Sequence, residues 1–200
     1  MAIRDASNTK ANMSGAVLTG KVPPSFKART SVRVRESKFG PSNSSGLPQI
    51  TLKCEILVPE RIQSDIDGRY YDLTSVPVPI YLSVSDKDKN GDASDNLEYL
   101  VNELLPRLGL PARIDDENPL KSESNPEGIQ FDGMLIDILL SSKEKKETRT
   151  HPTTGKREIL TDSRGNPITK GWEWNMIDRT DILGLTQLQS ATEASENKSV

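Results

Sequence analysis

The sequence predicts a mainly β protein, a small antiparallel barrel of five strands with one helix between the third and fourth strands. Several segments alternate apolar and polar residues, as half-buried strands do. One segment instead repeats leucines at helical spacing, and clusters of turn-forming residues separate the segments. The chain has 200 residues, of which 34% are hydrophobic, enough for one core of ordinary size. Short sequential strands joined by long loops are typical of such a barrel.

The first predicted strand carries like charges on one side. In "KARTSVRVRESKFG", residues 27–40, side chains that alternate across a strand separate two rows. One row contains the cations that we call the basic row: Lys27, Arg29, Arg33 and Arg35. The opposite row is formed by Ala28, Thr30, Val32 and Val34. This strand opens a predicted domain over residues 26–184, between a flexible arm at 1–25 and a flexible tail at 185–200.

Four further strands and the helix follow from their apolar spacing. The second strand places Ile50, Leu52, Cys54, Ile56 and Val58 on one face, and the third places Val76, Val78, Ile80, Leu82 and Val84 there. Because Pro77 and Pro79 cannot donate ladder hydrogen bonds, this end of the third strand is expected at an edge or locally unpaired. The helix stripe is Leu97, Leu100, Val101, Leu104, Leu105 and Leu108. The fourth strand presents Phe131, Met134, Ile136, Ile138 and Leu140, and the fifth presents Trp172, Trp174 and Met176.

The ends of the helix are also visible in the sequence. Asp92 or Ser94 is expected to cap its first turn, and Gly109 to end it. Pro106 lacks a backbone donor and is expected to kink or shorten it. Between the fourth and fifth strands, the polar segment with "TTGK" and "SRGN" is interpreted as a projecting hairpin.

Composition excludes several classes of protein. No run approaches the ~18 apolar residues of a membrane span, and the first 20 residues lack the apolar core of a secretory signal. Cys54 is the only cysteine, so no intrachain disulfide is possible and a cytoplasmic location is expected. The net charge of −3 is unevenly distributed, with eight cations and two acids among the first 50 residues.

Enzyme signatures are absent, so we expect a protein without catalytic residues or cofactors. His151 and Cys54 are single, so a Cys/His zinc cluster cannot form, and neither a nucleophile elbow nor a P-loop occurs. Carboxylates are plentiful, and sequence alone leaves a metal-dependent nuclease open. The segment "DKDKNGDASDNLE" fits part of a calcium loop, but Leu97 occupies the position of the bidentate carboxylate. We interpret it as an acidic loop leading into the helix, with no metal.

The order of these segments resembles the OB-fold single-stranded DNA-binding proteins of bacteriophages. The resemblance rests on "SVRVRESKFG", the turn "SNSSG", "PQITLKCEIL", the helix "LEYLVNELLPRLGL", "EGIQFDGMLIDILL" and "GWEWNMID", and covers residues 27–180. It implies non-sequence-specific binding and protection of single-stranded DNA in phage replication or recombination, with proteins of those processes as further partners. The loop before the last strand is longer than such a barrel needs. The tail "ATEASENKSV" lacks the dense acid run and final aromatic with which many bacterial members recruit partners.

Single-strand binding requires cations for phosphates and aromatic faces for bases. Successive positions on the side of the strand that carries the basic row, with Ser31 between Arg29 and Arg33, lie about 6.5–7 Å apart, close to the phosphate spacing of a stretched strand. Further candidate cations are Lys38, Lys53, Lys143, Lys145, Lys146 and Arg149, and the candidate aromatics are Phe39, Tyr70 and Tyr81. Trp172 and Trp174 are more typical of a core, and their role stays open.

Other interpretations compete with this one. A row of cations is often only the solvated face of a sheet, or guards an edge strand against aggregation. The absence of acids within the row favours a polyanion partner, because ordinary surfaces mix charges. The alternative function is a structural or scaffolding module that uses an OB-like barrel to bind proteins. A calcium-stabilised interaction domain is a third, weaker option.

Overall fold

The fold is mainly β, as the sequence predicts. The computed structural model describes residues 16–186, except 116, 122–124, 127, 154 and 156. The strands are β1 (Val17–Leu18), β2 (Lys27–Pro41), β3 (Pro48–Val58), β4 (Arg61–Gln63), β5 (Tyr70–Asp72), β6 (Val78–Ser83), β7 (Leu135–Lys146), β8 (Thr148–Thr150), β9 (Arg157–Ile159), β10 (Thr169–Trp174) and β11 (Ile182–Leu185). The helical segment comprises α1 (Asn96–Tyr99), a π-helical turn (Leu100–Leu104) and α2 (Leu105–Arg107), and a 3-10 turn spans Arg179–Asp181.

One six-stranded sheet organises the chain. Its order is β10-β7-β2-β3-β6, with β11 also paired to β7, and these pairings are antiparallel. A three-stranded sheet β1-β5-β4 and the hairpin β8-β9 complete the β structure of the described residues. Between β6 and the segment after β10, these residues form only an isolated parallel bridge, from Ile80 to Ile177. The sheet is therefore not closed into a barrel by a continuous ladder.

The predicted count of five strands is too low. The five predicted strands correspond to β2, β3, β6, β7 and β10, and the helix lies between β6 and β7 as expected. The strands that the sequence did not predict are two to four residues long. Such segments are too short to display a period of two, so their pairing depends on neighbours rather than on an internal pattern.

The core lies where the alternation places it. Val32 and Val34 of β2 are fully buried, together with Ile50, Leu52, Cys54 and Ile56 of β3, Val78 and Ile80 of β6, and Ile136, Ile138 and Leu140 of β7. Two predicted positions differ. Val58 is 49% exposed because Leu57 is an extra residue in β3, between the pairs Ser31–Val58 and Val32–Ile56. Met176 is 72% exposed because β10 ends at Trp174, and Ile177 enters the core instead.

The helix follows its predicted stripe and ends at the predicted glycine, but its N-cap is Asp95, which makes no capping side-chain hydrogen bond, rather than Asp92 or Ser94. Leu100, Leu104, Leu105 and Leu108 are buried beneath the helix. Ser94 Oγ accepts a hydrogen bond from Asn96 N at 3.3 Å, and Gly109 adopts a φ of +68° at the end of the helix. Before Pro106 the backbone makes a π turn, in which Leu105 N bonds Leu100 O. Pro106 has no N–H to continue the regular ladder, which explains the irregularity.

The folded unit begins before residue 26. Residues 1–15 of the predicted arm lie outside the described residues, but β1 pairs in parallel with Tyr70 and Tyr71 of β5. Pro23 is buried, and its carbonyl accepts a hydrogen bond from Ser142 Oγ at 2.7 Å. At the other end, β11 continues to Leu185, and residues 187–200 lie outside the described residues.

Candidate nucleic-acid interface

The basic row lies on the side of the six-stranded sheet that faces away from the core, which we call the outer face. On β2, Lys27, Arg29 and Arg35 are exposed and Arg33 is half-buried, whereas the alternate residues Thr30, Val32 and Val34 are buried. The row therefore forms as predicted, from period-two alternation on one long strand.

A β-bulge keeps the next lysine on this face. The pairing of β2 with β3 shifts between Val34–Cys54 and Glu36–Lys53, so Arg35 is the extra residue. Beyond the bulge, Lys38 lies opposite Thr51 on the outer face, whereas regular alternation would have turned it inward. The same shift places Phe39 opposite the buried Ile50, with its ring packed against the core. Phe39 is therefore poorly placed to stack on a base.

Acids from neighbouring strands interrupt the row in space. Arg29 Nη2 lies 2.6 Å from Asp137 Oδ2 of β7, and Arg35 forms an ion pair with Glu55 of β3. Within β2 itself, Lys38 Nζ lies 2.8 Å from Glu36 Oε1. The expectation of a row without interspersed acids is thus wrong for the folded protein. That expectation considered residues 27–35 alone, whereas Asp137 and Glu55 come from neighbouring strands and Glu36 follows the row on β2 itself.

Asp137 is the most buried of these acids. Its side chain is only 6% exposed, and it accepts hydrogen bonds from Ser31 Oγ at 2.6 Å and from Arg29. Burial alone would raise the pKa of Asp137, but the hydrogen bonds from Ser31, Arg29 and Thr186 outweigh it and lower the pKa. Asp137 therefore stays ionised at neutral pH and remains paired with Arg29.

Three outer-face cations have no ion pair within 4 Å among the described residues: Lys27, Arg33 and Lys53. Arg33 pairs in register with Glu55, whose carboxylate is already bonded to Arg35. Lys53 is exposed between Glu36 of β2 and Pro79 of β6. These cations can bind an external anion without displacing a partner held at salt-bridge distance.

Tyr81 is the aromatic residue that the fold brings to the outer face. Its side chain, on β6, is 41% exposed, and its register partner on β3 is Thr51. Lys38, Thr51 and Tyr81 therefore form one row across three strands, with the lysine and the tyrosine about 10 Å apart at their backbones. Tyr70 lies apart, in the three-stranded sheet, while Tyr71 is buried there.

The remaining predicted cations lie beyond the start of β2 at Lys27, near the projecting loop. Lys143, Lys145 and Lys146 are exposed at the end of β7, and Arg149 is exposed on β8. Lys143 Nζ lies 3.7 Å from Glu173, and Arg149 Nε lies 3.6 Å from Glu158. These cations continue the charge of the outer face toward the β8–β9 hairpin, whose antiparallel pairing agrees with the hairpin predicted there.

The two tryptophans differ in their surroundings. Trp174 packs against the core, with its ring centroid 5.5 Å from that of Phe26 in an edge-on arrangement. Trp172 is half-buried opposite Glu144 of β7. Trp174 thus has the predicted core position, and neither ring joins Tyr81.

A surface depression beside Tyr81 contains residues that the sequence did not single out. It has a volume of about 630 Å³, and its lining includes Met176, Lys87, Lys89 and the turn between β2 and β3. The lysines belong to the segment interpreted as an acidic loop leading into the helix, and Met176 was placed on the tryptophan face of the fifth predicted strand. Alternation of lysine with aspartate in "DKDKNG" was the available signal for an exposed basic rim.

The candidate calcium loop uses its central carboxylate internally. Asp88 Oδ1 accepts hydrogen bonds from Asn90 N at 2.7 Å and from Asp92 N at 3.0 Å. These bonds lower the pKa of Asp88, the one from Asn90 most of all. Among the described residues, no group of three His, Cys, Asp or Glu side chains is arranged to hold a metal ion.

Two comparisons of a general kind complete the description. In the part of the chain that the structure describes, no helix has the length and apolar character needed to cross a membrane. The chain matches no model of a known protein family, no curated protein and no solved structure.

Proposed function

We propose that the protein binds single-stranded DNA along the outer face, without sequence preference and without catalysis. The observation that carries the proposal is the row of Lys38, Thr51 and Tyr81 across three strands, beside the unpaired cations Arg33 and Lys53. It combines phosphate-binding charge with an exposed aromatic ring, the two elements that single-strand binding requires.

The strand order supports an OB-type barrel as the scaffold. The predicted first strand, β2, pairs with both the second and the fourth, and the third strand pairs with the second. The bridge from Ile80 to Ile177 joins the third strand to the segment after the fifth, between the two edges of the sheet that a closed barrel would bring together. OB folds bind oligonucleotides on the face of their second and third strands, flanked by the first and last hairpin loops. Lys53 and Tyr81 lie on the corresponding strands, β3 and β6.

The ion pairs define how such binding would be tuned. A phosphate that approaches Arg29, Arg35 or Lys38 must displace a carboxylate, whereas Arg33 and Lys53 require no displacement. Affinity would therefore come mainly from the unpaired cations, and release would be assisted by carboxylates that recover their partners. Coating of transient strands in phage replication or recombination, as the family resemblance implies, requires such reversible contacts.

The test is charge reversal on the outer face. Arg33→Glu combined with Lys53→Glu should weaken binding to a labelled ~30-nucleotide poly(dT) by about 60-fold or more at ~50 mM salt, since two phosphate contacts are lost. Arg61→Glu with Arg69→Glu makes the same change in net charge outside the six-stranded sheet, and should bind as the wild type does. Fluorescence anisotropy measures both.

Three outcomes would count against the proposal. Wild-type protein that fails to bind poly(dT) even at low salt would refute it directly. Equal losses in the outer-face variant and in its control would mean that net charge matters and the outer face does not. Unchanged binding in both variants would favour the scaffolding alternative.

A further inference from the structure

The depression beside Tyr81 adjoins a second one along the edge of β6. The two volumes are about 630 and 310 Å³, and both are lined by Tyr81, Ser83, Asn96 and Met176. Small-molecule sites occupy roughly 300–1,000 Å³, so the larger depression has room for a planar heterocycle. It lies at the end of the row from Lys38 through Thr51, where a DNA strand that crosses β2 and β3 would arrive.

Two exposed side chains give this depression an apolar wall. Met176 is 72% exposed and Tyr81 41% exposed, although both neighbour the buried residues Ile80, Leu82 and Ile177. A thioether is polarizable and makes favourable contacts with flat rings, and a tyrosine offers a stacking face. Both side chains would lose exposed apolar surface if a ring entered the depression.

The rim carries charge suited to the flanking phosphates. Lys87 and Lys89 are exposed on one side, and the intervening Asp88 directs its carboxylate to the amides of its own turn. The turn between β2 and β3 contributes the exposed amide of Asn43 and the hydroxyl of Ser44 to the same lining. Amides and hydroxyls can bond the edge of any base, which suits a site without sequence preference.

We propose that this depression binds one unstacked nucleobase of the DNA strand between Tyr81 and Met176, with the adjacent phosphates at Lys87 and Lys89. The inference rests on the proposed function and extends it to residues outside the basic row. It gives the interface two kinds of contact: charge along β2 and β3, and one base-sized site at the edge of β6.

The experiment separates the base from the phosphates. Tyr81→Ala and Met176→Ala are each titrated with poly(dT) of about 12 nucleotides and with an abasic oligomer of equal length and charge. Each substitution should weaken poly(dT) binding about tenfold and leave abasic binding unchanged, because only a base can stack. Tyr81→Phe keeps the ring and should restore poly(dT) affinity.

A fluorescent base reports the site independently. A single 2-aminopurine, moved along the oligomer, should change its emission at one position on binding to wild type, and Met176→Ala should reduce that change. If Tyr81→Ala fails to fold, as judged by its thermal transition, the test relies on Met176→Ala, because Met176 is the more exposed of the two side chains.

The failures are distinguishable. Wild-type protein that binds neither oligomer refutes the proposed function, and the base site with it. Normal poly(dT) binding that neither alanine variant weakens refutes only the base site. Equal weakening on poly(dT) and on the abasic oligomer also refutes it, because the two side chains would then act on the fold or on the phosphate path.

Discussion

Asp137→Asn offers the most direct test of how carboxylates restrain the outer face. The substitution keeps the shape of the side chain, and its amide oxygen can still accept the hydrogen bond from Ser31 Oγ. It removes the charge that holds Arg29, whose Nη2 lies 2.6 Å from Asp137 Oδ2. Arg29 itself is 60% exposed, so it becomes available to a phosphate without any backbone movement.

The expected gain follows from counterion release. One additional phosphate contact makes the log–log salt slope more negative by about 0.7, and at ~50 mM salt it tightens binding by about eightfold. At ~200 mM the gain falls to about threefold. The affinity difference should therefore shrink as salt rises, which a purely conformational effect would not do.

Stability should change in the opposite direction. The buried carboxylate loses charge-assisted hydrogen bonds, but its partner is largely exposed and screened, so we expect a loss of about 1–2 kcal/mol. For a chain of this size that corresponds to a melting temperature roughly 3–6 °C lower. Anisotropy titrations at several salt concentrations and a thermal melt measure both effects on the same sample.

The control is Asp115→Asn, which removes the carboxylate 3.0 Å from Lys121, away from the six-stranded sheet. It should leave DNA affinity and salt slope unchanged. A folded Asp137→Asn protein with wild-type affinity at ~50 mM and an unchanged slope would refute the idea that Asp137 competes with phosphate for Arg29.

Three further predictions concern the fold. Burial raises the pKa of the Cys54 thiol to about 12, so Cys54 should resist Ellman's reagent at pH 8 until the protein unfolds. Burial, and the hydrogen bond to Asp67, raise the pKa of Tyr71 to about 12. Because this pKa lies above the unfolded value of ~10, the stability that the Tyr71 hydroxyl contributes should be lost as pH rises from about 10 to 12. The urea midpoint of Tyr71→Phe should not show this loss over the same pH range. Gly109→Ala should lower the free energy of unfolding by about 1–2 kcal/mol in urea titrations, because alanine at a φ of +68° is strained; an unchanged midpoint would contradict this.

The sequence predicted those parts of the fold that depend on local periodicity. Alternation over β2, β3 and β7 located the buried valines, isoleucines and leucines, and leucine spacing located the helix. Glycine at position 109 marked the end of the helix, because a left-handed backbone favours glycine. Each of these signals lies within about 15 residues of chain, where side-chain direction follows directly from the secondary structure.

The rest depended on pairing between distant segments. Asp137 is 108 positions from Arg29, and Glu55 is 20 from Arg35, so neither acid belonged to the row when β2 was considered alone. The placement of Phe39 failed for a related reason. Its face depends on the bulge at Arg35, and a bulge is defined by the register with the partner strand, which composition does not encode.

The bulge at Arg35 also divides β2 into two halves with opposite phase. Odd-numbered side chains point to solvent before it, and even-numbered ones after it, as the positions of Arg33 and Lys38 demonstrate. A designer who extended the charge by simple alternation would choose Ser37, which lies opposite the buried Leu52. Lysine there would point away from the outer face, toward Asp132, to which Ser37 Oγ donates a hydrogen bond, whereas deletion of Arg35 would restore a single phase and invert every later side chain of the strand. One extra residue thus determines which side chains after the bulge lie on each face of the sheet.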